Sequence, residues 1–246
     1  MYIQKRYDIK DVILIENHYP GNYGAPGESR SPKRELTPED IKRQNITNRA
    51  KKVQRLILAN FNEGDHHLVL SYPKDRKPKD FEEAQANLRK FLGKLRKEYK
   101  SRGYEFKYIA VTERGKTTNS LHHHIILEDI AKPNLNTVQI VKKYWRGYTK
   151  FNSLYKDGEF EDLADYLVKK ETKEEETQGK ARYTRSRNLI TPKPKKKVML
   201  RKKWPEIPKP KKGYELVKYS LYNGINPVTG YPYQHYTLRR IRGDSG

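Results

Sequence analysis

The chain contains no cysteine, which removes disulfides, thiolate metal sites and cysteine nucleophiles from its possible chemistry. Long apolar runs are also missing. No stretch approaches the ~20 residues that a membrane-spanning helix requires, and the amino terminus lacks the apolar centre of a signal peptide, so the expectation is a cytoplasmic protein without membrane contact. Acidic residues are in short supply: 30 Asp and Glu stand against 53 Lys and Arg, a formal charge of +23 over 246 residues. A surplus of that size sets up a positive field that attracts polyanions, and nucleic acid is the partner it points to. The 19 tyrosines fit the same partner, since cations neutralise phosphates while aromatic rings stack on the bases of a single strand.

Six glycines and prolines between Pro20 and Pro32 mark a loop, and residues 1–36 as a whole read as an irregular N-terminal segment. Thr37 followed by Pro38, Glu39 and Asp40 forms a helix cap and first turn, with Ile41, Ala50, Val53, Leu56 and Ile57 following at helical spacing to about Asn60. His67 to Tyr72 (HLVLSY) reads as a buried strand closed by Pro73. Phe81, Ala84, Leu88, Phe91, Leu92, Leu95 and Tyr99 then recur at helical intervals until Gly103. Two strand-like runs, 106–112 and 121–127, flank a polar turn and predict a hairpin. A helix around Val138–Trp145, a strand from Tyr148 and an amphipathic helix through Phe160, Leu163, Ala164 and Leu167 complete the core. This order predicts an α+β fold with antiparallel pairing and helices packed on one face of the sheet. Residues 37–190 therefore form a core with a leading helix. Residues 191–246 begin as a basic, proline-rich linker and extend into possible further strands.

The chemistry concentrates in Leu121-His122-His123-His124-Ile125-Ile126-Leu127. Alternate side chains of a strand share a face, so His122 and His124 point together and His123 points away with Ile125. Glu113, at the end of the preceding strand, is placed by antiparallel pairing to bring a carboxylate over the same face. Two imidazoles and one carboxylate leave positions open for water and a phosphate oxygen; oxygen ligands suit Mn²⁺ or Mg²⁺, and imidazoles also accept Zn²⁺. Further on, Tyr166, Lys169 and Lys170 fall three and four positions apart on one helix flank. A phenol is a weak nucleophile at neutral pH, and cationic neighbours together with a metal-polarised phosphate are the help it needs. Gly115-Lys116-Thr117 imitates the end of a phosphate-binding loop, but the required earlier glycine falls at Ala110, so no ATPase is expected.

Three features in this order, LVLSY at 68–72, His122 with His124, and Tyr166 with Lys169, resemble the HUH endonuclease superfamily. The likeness is to the replication-associated proteins of rolling-circle plasmids, phages and integrative elements, and runs from about Ala50 to Leu189. KYWRG at 143–147 and YTRSRNL at 183–189 resemble that group as well. The resemblance implies a five-stranded antiparallel sheet with helices on one side, a divalent metal on the histidine pair, and Tyr166 as a nucleophile that becomes linked to the 5′ side of a nick. It further implies single-stranded or hairpin origin DNA as substrate and a host helicase as partner. Two departures stand out: the residue between the paired histidines, usually apolar, is His123, and a single tyrosine fits the motif. Relaxases and single-tyrosine transposases share the chemistry; Tyr166 standing 42 positions after His124, with the histidines first, favours an initiator. The rival from another class is a non-catalytic DNA-binding protein with structural histidines.

Overall fold

The computed structural model describes residues 1–20, 36–115, 119–154, 160–171, 183–217, 219–226 and 229–241, with the side chains of 169–171 excepted. In chain order the elements are β1 (Tyr2–Ile9), β2 (Val12–His18), α1 (Pro38–Asn60), β3 (His66–Ser71), α2 (Phe81–Ser101), β4 (Tyr108–Arg114), β5 (Leu121–Leu127), β6 (Ala131–Lys132), β7 (Leu135–Asn136), α3 (Thr137–Tyr144), β8 (Tyr148–Ser153), α4 (Glu161–Glu171), β9 (Thr184–Arg185), β10 (Lys195–Met199), β11 (Tyr214–Leu216), β12 (Tyr222–Ile225) and β13 (Pro232–Arg240). They form two compact units, one of residues 49–190 and one of residues 1–48 with 191–246.

The 49–190 unit is an α+β structure on a five-stranded antiparallel sheet ordered β8-β3-β5-β4-β9. β5, the histidine strand, is hydrogen-bonded on both sides, to β3 and to β4, which fixes the register of every residue it carries. One face presents Leu68, Leu70, Tyr108, Ala110, Ile125 and Leu127 to Leu88, Phe91, Leu92, Leu95 and Tyr99 of α2 and to Ile140 and Val141 of α3. Burying side chains of this size stabilises the fold by roughly 1.5–3 kcal/mol each, so this layer is the main source of cohesion in the unit. α2 starts where the Asp80 carboxylate accepts a hydrogen bond from the backbone N–H of Glu83 (2.8 Å) and stops at Gly103, whose φ of +81° the helical conformation does not allow. α1 opens on a reciprocal cap: Thr37 Oγ1 accepts from the Asp40 N–H (3.2 Å) and Asp40 Oδ2 accepts from the Thr37 N–H (3.1 Å). At its other end the Asn60 side chain accepts from the Ile190 N–H and donates to the Ile190 carbonyl, both at 2.8 Å, tying the last residue of the unit to the helix.

Helices do not keep to one side of this sheet. α4 packs on β4 and sets Tyr166 beside His124, on the face opposite α2. The physical reason is in β4 and β5 themselves: Ile109, Val111 and Ile126 on that second face are as apolar as the first and need cover.

At the α2–α3 junction Tyr144 donates to Glu98 Oε2 (2.6 Å) and Lys143 Nζ lies 3.3 Å from Oε1. The Tyr144 hydrogen bond, followed by those from Arg102 and Lys143, pulls the Glu98 carboxyl from 4.5 down to about 2. The unfolded chain therefore binds this proton first as pH falls; the stabilisation is complete above about 4.5 and is lost towards 2. Urea unfolding of wild type and Glu98→Gln across that window is expected to show the wild type losing more stability than the variant. Parallel curves would mean that the cluster contributes nothing.

The second unit corrects two expectations. Residues 1–36 are not irregular throughout: β1 and β2 form a hairpin through Lys10, at φ +52°, and Asp11. The loop expected between Pro20 and Pro32 lies outside the described residues from position 21 on. The linker expected from residue 191 on holds a strand, β10, which pairs with β1 (Tyr2 opposite Met199), while in the extension beyond it β13 pairs with β2 (Val12 opposite Arg239). The sheet runs β10-β1-β2-β13-β11, with β12 also on β13. Ile13 and Ile15 pack with Tyr236 and Leu238, Trp204 covers Tyr2 and Tyr19, and a polar ladder joins Gln4, Asn17, Gln234 and Asn223. Among the described residues no helix is long and apolar enough to cross a membrane.

Candidate metal centre and active site

The β4–β5 hairpin brings Glu113 opposite His122 and Val111 opposite His124, so the carboxylate and both imidazoles emerge on one face. Glu113 Oε1 lies 2.7 Å from His122 Nε2 and 2.8 Å from His124 Nε2. One ligand atom from each of the three residues falls within 4.8 Å of the others. Glu113 is 2 % exposed, so its charge has little water to stabilise it.

The donor set fits a divalent cation. His122 Nδ1 faces the Ser120 carbonyl (3.2 Å), which only accepts, so that nitrogen carries a proton and Nε2 is the one left for the centre. His124 Nδ1 is likewise occupied, by a hydrogen bond with His67 Nε2 (2.9 Å). A carboxylate oxygen at these distances from two ring nitrogens requires positive charge between them, supplied by protons or by a metal ion.

His67 was not singled out by sequence reasoning. It shares the face of Val69, which pairs with His124, and its ring stacks on that of His124 (centroids 5.1 Å apart, 27° between planes). The period-two alternation of HLVLSY puts His67, Val69 and Ser71 on one side, but only the β3–β5 register reveals that this is the side of His124.

His123 points to the other side, fully buried. Its ring nitrogens meet Tyr72 Oη (2.6 Å) and Thr112 Oγ1 (2.9 Å), and burial pushes its pKa from 6.5 down to about 3. A neutral, doubly hydrogen-bonded imidazole here is part of the α2-side core. Trp145 is part of the same packing: its indole N–H donates to the Ser71 carbonyl (3.1 Å), and Gly147 passes so near that oxygen that a Cβ at this position would collide with it. KYWRG is thus a packing motif behind β3.

Tyr166 enters from α4. Its hydroxyl lies 3.5 Å from His124 Nε2, and its ring stands edge-on to the imidazole (5.3 Å, 80°). Ala164, Leu167 and Val168 are buried and hold the helix down, which leaves Tyr166 half-exposed over the centre. Lys169 and Lys170 continue the helix, and their side chains lie outside the described residues, as do Lys116 and Thr117. The structure thus brings Glu113, His122, His124 and Tyr166 to one point on the sheet. A carboxylate, two imidazoles and a phenol at such a point can hold a cation and present a nucleophile to a group bound to it.

Residues 65–175 match the model of the family described as replication-associated protein ORF2. The match runs from β3 to α4 and contains all four of these residues. No curated protein and no solved structure matches the chain.

Proposed function

We propose, from the match of residues 65–175 to the replication-associated protein ORF2 family, that the chain initiates rolling-circle replication as a metal-dependent HUH endonuclease, nicking and rejoining one DNA strand through Tyr166. The observation that supports this most directly is the 3.5 Å approach of the Tyr166 hydroxyl to a histidine of the Glu113–His122–His124 cluster.

Glu113, His122 and His124 would hold the ion, and Mn²⁺ or Mg²⁺ is the choice favoured by the carboxylate and by a phosphate substrate. A divalent ion held there supplies positive charge to the non-bridging oxygens of the scissile phosphate. Tyr166 attacks the phosphorus: its phenolic proton is lost, the Tyr166 O–P bond forms, and the bond from phosphorus to the 3′ oxygen breaks. The departing 3′ oxygen takes up a proton and becomes a primer hydroxyl. The 5′-phosphotyrosine conserves a phosphodiester, so the reverse attack by a 3′ hydroxyl rejoins the strand. Lys169 or Lys170 stabilises charge developing on the phosphate. The +23 formal charge supports phosphate contacts along a single strand or hairpin origin. Unwinding falls to a host helicase, since the chain carries no complete phosphate-binding loop motif. Relaxases and single-tyrosine transposases use the same chemistry; the family whose model residues 65–175 match favours the initiator.

The test is to incubate the protein with 5′- or 3′-labelled single-stranded DNA from its own replicon, with Mn²⁺ or with chelator. A protein adduct that survives denaturation, depends on the metal and retains only the label 3′ to the nick is expected. Tight binding without an adduct across an origin-containing pool would favour the DNA-binding reading instead.

A further inference from the structure

Behind the sheet from Glu113, His122 and His124 there is a cavity of about 430 Å³ between α2 and the β4–β9 edge. Such a volume is ordinary for a small-molecule or nucleotide site, for which roughly 300–1,000 Å³ is typical. Its composition follows from two periodicities. Gln85, Leu88, Arg89, Leu92 and Arg96 are spaced three and four apart and share one flank of α2. Tyr108, Ala110 and Thr112 are alternate residues of β4, on the face opposite Glu113. Leu88, Leu92 and Ala110 are buried and make an apolar floor. Arg89 and Arg96, both exposed, stand at the rim with Arg185 of the edge strand β9. Arg96 Nη2 donates to the Tyr108 hydroxyl (3.4 Å), which aims its guanidinium across the opening. No acidic side chain occurs among the described residues that line the cavity.

An apolar floor ringed by three guanidinium groups matches a ligand that is flat and apolar in one part and anionic in the next. We propose that this cavity binds one unpaired nucleotide of the DNA strand, base against Leu88, Leu92 and Ala110, flanking phosphates on Arg89, Arg96 and Arg185. Guanidinium groups suit both parts, since they pair with phosphate oxygens two at a time and stack on bases. A base can enter only from a single strand or after leaving its stack, so the cavity selects unpaired DNA. β9 is the outer strand of the sheet, and a strand passing round that edge reaches both faces. The cavity thus holds a nucleotide at a distance from the one being cut. The inference rests on the reading that the chain handles single-stranded DNA, but not on cleavage.

The experiment measures equilibrium binding of a fluorescent single-stranded oligonucleotide by anisotropy, at one fixed salt concentration, for the full chain and two double variants. Arg89→Ala/Arg96→Ala removes the rim. Lys90→Ala/Lys97→Ala removes the same charge from the same helix, at the same spacing but one position further round. The arginine variant is expected to bind about tenfold or more weakly and the lysine variant within about threefold of wild type, since the arginines clamp the phosphates on either side of a seated base and the lysines meet the backbone only at its periphery. An abasic strand keeps its phosphates but seats no base, so the arginine change should cost it less affinity than it costs the intact strand. Equal losses in the two variants, or an equal arginine effect on the abasic strand, would overturn the proposal by reducing the rim to general charge. Because binding is read directly, failure of adduct formation at Tyr166 leaves the result interpretable, and an intact adduct with unchanged binding would refute the cavity alone.

Discussion

Replacing Tyr166 by phenylalanine is expected to lower adduct formation by at least about 10⁴-fold, the scale seen when a covalent nucleophile is removed from a site that keeps its other parts. The change is small in every other respect. The ring stays edge-on to His124, and the hydroxyl's contact to Nε2 is long at 3.5 Å, so stability should move by less than about 1 kcal/mol. Single-strand affinity should stay within about twofold, because phosphate contacts come from the cationic surface and not from this hydroxyl. The informative measurement pairs a denaturing-gel adduct assay with anisotropy binding on the same preparation. An adduct of wild-type yield would remove Tyr166 from the nucleophile role. Loss of both binding and adduct would indicate a hydroxyl needed to shape the site or hold the strand rather than only to react.

How much of this was legible beforehand depended on the range over which the determining contacts act. α2 could be read because its apolar positions and Gly103 all lie within one segment. The opposite directions of His123 and of His122 with His124 followed from strand parity alone, which needs no knowledge of partners. What parity leaves out is what each side chain meets. The engagement of His123 by Tyr72 and Thr112 depends on α2-side packing of three strands, and His67 reaches His124 only because β3 pairs with β5 in one register. The terminal unit lay furthest from local inference: β1 finds β10 about two hundred residues away, and no composition rule encodes such a pairing. β10 was also disguised by its lysines. Lys195, Lys196 and Lys197 lie in an outer strand, where exposed charge is a common protection against edge-to-edge association, so a strand read as a linker. Helices on both faces of the central sheet likewise follow from the second apolar face of β4 and β5, which an order of elements does not disclose.

Glu113→Gln is the second large effect to expect, and it separates the metal from the nucleophile. The substitution keeps the side chain's shape and one oxygen near His122 and His124, but removes the negative charge that a divalent ion would be bound by. Mn²⁺ affinity is expected to fall by about a hundredfold or more, since even residues that only orient metal ligands cost 10–100-fold. The folded state should lose little in the metal-free protein, because Gln can still accept a hydrogen bond from one imidazole and the buried anion is gone. Two measurements then have to agree. Mn²⁺ titration followed by electron paramagnetic resonance should show the weaker site directly, and adduct formation should shift to higher Mn²⁺ while keeping its dependence on Tyr166. If the titration is unchanged, Glu113 is not a ligand. If affinity falls but adduct yield at low Mn²⁺ does not, the cluster binds metal without serving the cleavage, and the chemistry of Tyr166 would need its charge from the lysines of α4.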